Sequence, residues 1–174
     1  MKNTLTLVCG ISTALFISGS AWADGTRTGQ LPAPDDKFVQ DAVAGGRMEV
    51  QMGQMASQKA ASPAVRKFGE RMVQDHSKAD DQLNRILTEQ GITAPTAMAK
   101  TTRSTGKLDS MNGPDFDQAY MNDMVKDHEK DIAEFKKEAA EGRDPEIKDF
   151  AARTLPILEE HLHVAEQTQS NLPK

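Results

Sequence analysis

The side chains best suited to chemistry in this 174-residue chain are its four histidines. Two of them, His76 and His128, lie in copies of a Met-Val-x-Asp-His-x-Lys motif, within RMVQDHSKADDQL (71–83) and DMVKDHEKDIAEF (123–135). Imidazole binds zinc, copper, iron or nickel, and it also serves as a hydrogen-bonding group inside protein cores. The repeated Asp-His therefore indicates either a metal site or two copies of one helix-packing solution.

The elements that must position these residues are four predicted helices. Apolar and small residues recur at helical spacing over about 36–60, 63–90, 114–141 and 145–168. Ser62-Pro63 and Asp144-Pro145 are typical helix starts, because Ser and Asp cap helices and Pro lacks only an N–H that the first turn does not use. Residues 91–113, rich in Thr, Ser, Gly and Pro, lack a sustained helical period and are predicted to form a long connection.

The connection lengths predict how the helices are arranged. SPAVRKFGER and DPEIKDFAAR match in pattern, so the chain is interpreted as two helical hairpins, each antiparallel. The connection over 91–113 is long enough to run the length of a helix of about 40 Å, which makes the second and third helices parallel. We therefore predict an all-α, ferritin-like four-helix bundle with one long crossover. Pro156 is expected to kink or break the fourth helix.

This arrangement predicts that four polar residues meet near the middle of the bundle. At a rise of 1.5 Å per residue, one position on each helix falls at nearly the same height; these are Glu49, His76, His128 and His161. His163 lies off the inward face. A transition-metal site and a hydrogen-bonded polar plug in the core both remain open, since each satisfies buried polar groups.

Residues next to these four are compatible with both interpretations, the transition-metal site and the polar plug. Asp75 and Asp127 could bind metal, accept hydrogen bonds from the histidines, or lie in solvent. Met52, Met72 and Met124 form a layer one turn towards the first hairpin turn. Thioethers beside imidazole suit Cu(I), although Met equally fills irregular cores without any metal.

The N-terminal residues predict export. Lys2, an apolar run and Ala21-Trp22-Ala23 are typical of a signal peptide cleaved after residue 23, which leaves a flexible segment at 24–35 and a periplasmic location. Loss of Lys2 leaves 20 basic and 26 acidic residues from the 21 and 26 of the full chain, a net charge of −6. That balance argues against nucleic-acid binding, and no later stretch is apolar enough to span a membrane.

Four segments carry a resemblance to a known family: FVQDAVAGGRMEVQMGQMASQKA, FGERMVQDHSKA, AYMNDMVKDHEK and FAARTLPILEEHLHVA. Over residues 36–167 the chain resembles DUF4142, an exported bacterial family of unknown function. The resemblance implies an extracytoplasmic ferritin-like bundle, discussed as a metal binder. The chain departs from the di-iron Glu-x-x-His pattern, because Val73, Val125 and Leu158 stand three positions before the motif histidines and His161.

Two functions follow from the sequence. The first is a periplasmic bundle that binds a transition metal, with zinc, copper or iron as candidates. The second is a metal-free bundle that acts in envelope stress or protein interaction. An enzyme is less expected, because the sequence shows no arrangement for nucleophilic catalysis and no phosphate-binding loop. The protein partner, if any, is not indicated by the sequence.

Overall fold

A computed structural model describes residues 29–95 and 102–173, with the side chains of residues 102–105 left out. The predicted signal peptide (1–23) and residues 24–28 of the predicted N-terminal segment lie outside the described residues. The described part is all-helical, as predicted. None of its helices is both long enough and apolar enough to cross a membrane.

Five helices make up the described chain. The four long ones are α1 (Ala33–Lys59), α2 (Pro63–Glu89), α4 (Gly113–Glu141) and α5 (Pro145–Ser170), and α3 (Thr102–Asp109) is a short one between the hairpins. Both α2 and α5 begin at a proline in the first turn. The Asp144 side chain accepts hydrogen bonds from the backbone N–H groups of Glu146 and Ile147, so it caps α5 as expected.

The long helices form two antiparallel hairpins, α1–α2 and α4–α5. Contacts at each end of the bundle fix how the hairpins are placed. At one end Ala60, after α1, pairs with Gly113 at the start of α4. At the other end Gln90, after α2, donates hydrogen bonds to Asp144 and Glu146 at the start of α5. Helices α2 and α4 therefore run parallel, and the chain between them crosses the full length of the bundle.

The crossover differs from the sequence expectation in one respect. We expected no helix between residues 91 and 113, because apolar residues do not recur there, yet α3 forms. Leu108 on α3 is fully buried in the bundle core, and the Lys59 ammonium donates to the carbonyl oxygens of Leu108 and Asp109 at 3.5 and 2.5 Å. One buried side chain and one cation at its C-terminal end hold this helix, and neither produces a periodic pattern.

Pro156 does not break α5, which continues through it to Ser170. A proline inside a helix costs about 3 kcal/mol because it removes a backbone hydrogen bond. Buried residues on either side of Pro156, including Thr154 and Leu158, hold the helix against the bundle and offset that cost.

The core consists of two apolar clusters separated by a polar layer. The upper cluster, at the α1–α2 turn, contains Met52, Met72, Met121 and Met124, all fully buried. The lower cluster, at the α4–α5 turn, is built from aliphatic residues and phenylalanines such as Phe38 and Phe135. The polar layer between them contains the histidines.

Candidate metal centre

Three of the four histidines meet in the polar layer. One ring nitrogen from each of His76, His128 and His161 lies within 4.8 Å of the corresponding nitrogens of the other two. All three rings are buried, with His128 and His161 fully so. The fourth, His163, is exposed on the outer face of α5 and contacts Gln167. The structure thus brings together the histidines that the helix counting placed at one level.

The outward nitrogen of each clustered ring contacts an oxygen atom. His128 Nδ1 lies 2.9 Å from the Met124 carbonyl oxygen, and His161 Nε2 lies 2.8 Å from Asp75 Oδ2. His76 Nδ1 lies 3.0 Å from Glu49 Oε2. A carbonyl or carboxylate oxygen only accepts, so the ring proton of a neutral histidine must lie on the nitrogen that faces it.

This assignment leaves two acceptors facing each other. His128 Nε2 and His161 Nδ1 are 3.3 Å apart. When the protons of both neutral rings point outward, both of these nitrogens carry lone pairs and no hydrogen bond joins them. Two nitrogens bound tetrahedrally to one ion at about 2.05 Å would lie about 3.3 Å apart. The third ring presents His76 Nε2, a buried atom with no hydrogen-bond partner among the described residues.

The pKa shifts separate the histidines into two kinds. Burial lowers the pKa of His161 to about 4, although the Asp75 contact opposes this. Burial also lowers the pKa of His128. Burial acts in the same direction on His76, but the negative charge and hydrogen bonding of Glu49 outweigh it and raise its pKa. His128 and His161 are therefore neutral at pH 7 and available to a metal, whereas His76 holds its proton more tightly.

Glu49 lies beside the rings as a buried counter-charge. It is 1% exposed, and its second oxygen is 3.4 Å from His128 Nδ1. Burial, the largest effect on its pKa, favours the neutral acid, but the nearby histidines outweigh it and hold the pKa of Glu49 below its usual value. Glu49 is not one of the three residues whose ligand atoms lie within 4.8 Å of one another. The Glu49 carboxylate instead contacts the Nδ1 atoms of His76 and His128, on the sides of these rings that face away from the cluster.

The two motif aspartates have different positions. Asp75 receives the His161 contact and also pairs with Arg71 at 3.2 Å. Asp127 is partly buried, and its Oδ2 has no hydrogen-bond partner in the described part of the chain. Burial raises the pKa of Asp127 to about 6. Asp75 is therefore connected to the histidine cluster by a hydrogen bond, and Asp127 is not.

The sequence analysis did not single out Asp80 and Asp131. Each follows a motif histidine by one helical turn, and both line a small cavity that adjoins Glu49 and His76. Burial raises the pKa of Asp80 to about 6 and that of Asp131 to about 8. The sequence did contain a signal for these two residues. Asp80 and Asp131 follow His76 and His128 by one helical turn and therefore lie on the same helix faces. Gly45 and Gly46, one turn before Glu49, lack side chains and leave space on the facing helix.

The chain belongs to the family described as Domain of unknown function (DUF4142), whose pattern matches residues 22–168. A search of curated proteins gave no significant match.

Solved structures share the fold at low sequence identity. A DUF305 fragment from Deinococcus radiodurans superposes with a TM-score of 0.72 at 12% identity, covering 82% of this chain and 99% of its own. CopM in its Ag-bound form gives 0.66 at 16% identity, covering 80% of this chain and 98% of its own. CopM in its Cu(II)-bound form gives 0.67 at 14% identity, with 79% and 96% covered. These likenesses establish a helical-bundle fold.

Proposed function

We propose that this chain is an extracytoplasmic bundle that binds one transition-metal ion through His76, His128 and His161. The observation that carries the proposal is the pair of facing acceptor nitrogens on His128 and His161, 3.3 Å apart. A cation between them removes the lone-pair repulsion and satisfies both atoms. A metal-free polar plug would keep the outward hydrogen bonds to the Met124 carbonyl and to Asp75, but it would leave the lone pairs of the two inward nitrogens facing each other.

The surroundings of the three rings fit metal binding. A metal-bound histidine generally donates its other N–H to a carboxylate or a carbonyl, which fixes the ring and raises its basicity. Asp75 occupies that place for His161 and the Met124 carbonyl for His128. Glu49 lies in the corresponding place for His76. In this proposal Glu49 and Asp75 hold the ligands in position, and the ion itself contacts the three imidazoles.

Copper is the first ion to test. CopM, which shares the fold, is a protein with Ag-bound and Cu(II)-bound forms. Imidazole suits copper and zinc alike, so the residues alone permit either ion. The fully buried Met52, Met72 and Met124 lie one turn above the ring layer, where thioethers would favour Cu(I) over Zn²⁺ if they reach the ion. The proposed extracytoplasmic location rests on the N-terminal sequence and is tested by the intact mass of the protein in cell fractions.

The decisive experiment is calorimetric titration of chelator-treated protein with Cu²⁺ and with Zn²⁺. We expect one saturable site in the wild type. His128→Ala and His161→Ala should each weaken binding by at least about 100-fold, since each removes one of three ligands. Binding should also raise the melting temperature, corresponding to about 2.7 kcal/mol of stabilisation at 100 times the Kd.

His163→Ala is the matched control, because His163 is on the same helix but exposed. It should leave the site unchanged. Absence of a saturable site, or equal losses for His161→Ala and His163→Ala, would contradict the proposal and favour a metal-free stress or interaction bundle. Circular dichroism of each variant checks that the helices remain folded.

Proton release gives a second readout of the same site. Because the pKa of His76 is raised while those of His128 and His161 are lowered, the metal should displace protons from His76 alone. We expect no more than about one proton released per ion at pH 6–7, measured by titration in buffers of different ionisation enthalpy. Release of two or three protons would show that the buried rings are not neutral in the free protein.

A further inference from the structure

The three clustered rings have outward partners of different kinds. His128 Nδ1 contacts a backbone carbonyl oxygen, which helix α4 fixes in place. His76 Nδ1 contacts Glu49, whose side chain is 1% exposed and enclosed by the core. His161 Nε2 contacts Asp75, whose side chain is 27% exposed. Asp75 is therefore the one of these three partners that neither the backbone nor burial holds in position.

An arginine on α2 supplies the missing constraint. Arg71 Nε donates to Asp75 Oδ2 at 3.2 Å, and the same oxygen contacts His161 Nε2 at 2.8 Å. Arg71 Nη1 also lies 3.5 Å from Glu160 Oε1 on α5. Glu160 directly precedes His161 in the chain, so the guanidinium joins the aspartate of α2 to the segment of α5 that carries the ring. The planar group uses two of its nitrogens to contact two helices, which a single ammonium does not reproduce.

A surface groove between α2 and α5 offers the Asp75 carboxylate an alternative position. Its polar lining includes Lys67, Gln74 and Asp75 itself. A carboxylate that turned into this groove would be hydrated, but the N–H of the fully buried His161 would then lose its acceptor. Arg71, which also lines the groove, holds the carboxylate on the side that faces the ring.

We propose that Arg71 is a positioning residue of the histidine cluster, which holds the Asp75 carboxylate against His161 and so fixes the orientation of the third imidazole. For its effect on metal affinity this inference rests on the proposed function, whereas the bond from His161 to Asp75 can be measured in metal-free protein. The positive charge of Arg71 alone would act in the opposite direction, because a nearby cation repels a metal ion. The direction of the change in affinity therefore distinguishes positioning from charge.

The first measurement follows the ring N–H of His161 in metal-free protein by nuclear magnetic resonance. In the wild type this proton is buried and bonded to Asp75, so it should exchange slowly with water. Arg71→Met removes the donors and keeps much of the side-chain length. It should speed the exchange by at least about tenfold, because the Asp75 carboxylate then leaves the ring more often. Arg71→Lys should give a smaller increase.

Lys67→Met is the matched control, because Lys67 is exposed one turn earlier on α2 and lines the same groove. It removes the same charge and should leave the N–H exchange of His161 unchanged. Equal exchange rates in Arg71→Met and the wild type would overturn the inference. Equal increases in Arg71→Met and Lys67→Met would also overturn it.

The second measurement is the affinity for Cu²⁺ or Zn²⁺ by calorimetric titration. Arg71→Met should weaken binding by about 3–10-fold, less than the loss caused by removing the carboxylate itself in Asp75→Ala. In the Asp75→Ala background Arg71→Met should cause no further loss, since the arginine acts through that carboxylate. Tighter binding by Arg71→Met, or the same loss in both backgrounds, would contradict the positioning role.

The inference and the proposed function fail separately. If the wild type has no saturable metal site but Arg71→Met alone speeds the N–H exchange, the metal function fails and the positioning of Asp75 stands. If the wild type binds metal and Arg71→Met matches it in both measurements, only the role of Arg71 fails. Arg71 and Glu160 are partly exposed, so their ion pair contributes little to folding and the melting temperature of each metal-free variant should stay near that of the wild type. Should Arg71→Met not fold, Arg71→Lys and Glu160→Gln decide, because each should give a smaller change in the same direction and no change in either would overturn the inference.

Discussion

Asp75 and Asp127 hold the same place in the two copies of the Met-Val-x-Asp-His motif, and their carboxylates meet different surroundings. Asp75 accepts hydrogen bonds from His161 and Arg71. These bonds hold its pKa below the usual value, although burial alone, the largest single effect, would raise it. Asp127 has a buried oxygen without a partner in the described chain, and burial raises its pKa to about 6. The same motif residue therefore stabilises a histidine in one copy and not in the other.

The methionines of the two copies behave alike. Met72 and Met124 are both fully buried in the upper cluster, one turn above their histidines. The motif thus has a shared packing part and a polar part whose role depends on the facing helix. A repeated motif therefore gives two helices that bury the same residue types on the same face. The hydrogen-bond partners of its polar residues depend on which helix packs against each copy.

The largest effect should come from the shared packing part. Met72→Ala and Met124→Ala should each destabilise the fold by about 2–5 kcal/mol, because each leaves a cavity in a close-packed core. Denaturant unfolding monitored by circular dichroism measures this. A cost near zero for one copy and several kcal/mol for the other would show that the copies do not share a packing role.

Leucine substitutions at the same positions separate packing from sulfur chemistry. Met72→Leu and Met124→Leu keep the volume and should cost less than about 1.5 kcal/mol. If either of them nonetheless lowers copper affinity, the thioether takes part in binding the ion.

The next effect concerns metal affinity. Asp75→Asn should weaken binding of Cu²⁺ or Zn²⁺ by about 10–100-fold, because it removes the negative partner that orients His161 and increases its basicity. Asp127→Asn, the matched variant in the other copy, should leave affinity nearly unchanged. Similar losses in calorimetric titrations of both variants would contradict the difference drawn between the two copies.

The smallest effect is on stability and its pH dependence in metal-free protein. The folded pKa of Asp127, about 6, exceeds the 3.8 of an ordinary Asp, so the folded state binds this proton more tightly. The resulting stabilisation is present below pH 3.8 and is lost as pH rises through 6. Asp127→Asn should therefore gain about 1 kcal/mol at pH 7, after allowance for partial exposure.

Asp75 should show the opposite sign. Its folded pKa is lowered, so its contribution is present above pH 3.8 and is lost as pH falls below that value. Asp75→Asn should therefore destabilise the metal-free protein at pH 7. Thermal melts of both variants between pH 4 and 8 measure the two effects, and changes of the same sign would be evidence against the assigned partners.

Much of the architecture was predictable because it is encoded locally. Proline and capping residues at positions 62–63 and 144–145 mark helix starts, and the length of the connection implies the parallel arrangement of α2 and α4. Helix α3 was not predictable in this way. Its position depends on the burial of Leu108 and on Lys59 of another helix, and neither is visible as a period in residues 91–113.

The sequence by itself determined which residues share a level, because a helix rises by a fixed amount per residue and the hairpin turns set the register. The order of residues along the helices is therefore enough to group Glu49 with the three histidines. Side-chain partners were decided only by the tertiary structure, since they depend on which helix faces lie opposite and how closely the backbones approach. The link from Asp75 to His161, the lack of one at Asp127 Oδ2, and the approach of Asp80 to Gly46 all arise across helices. No local pattern encodes them, because hydrogen-bond and ion-pair energies depend on distances of a few ångströms between residues far apart in the chain.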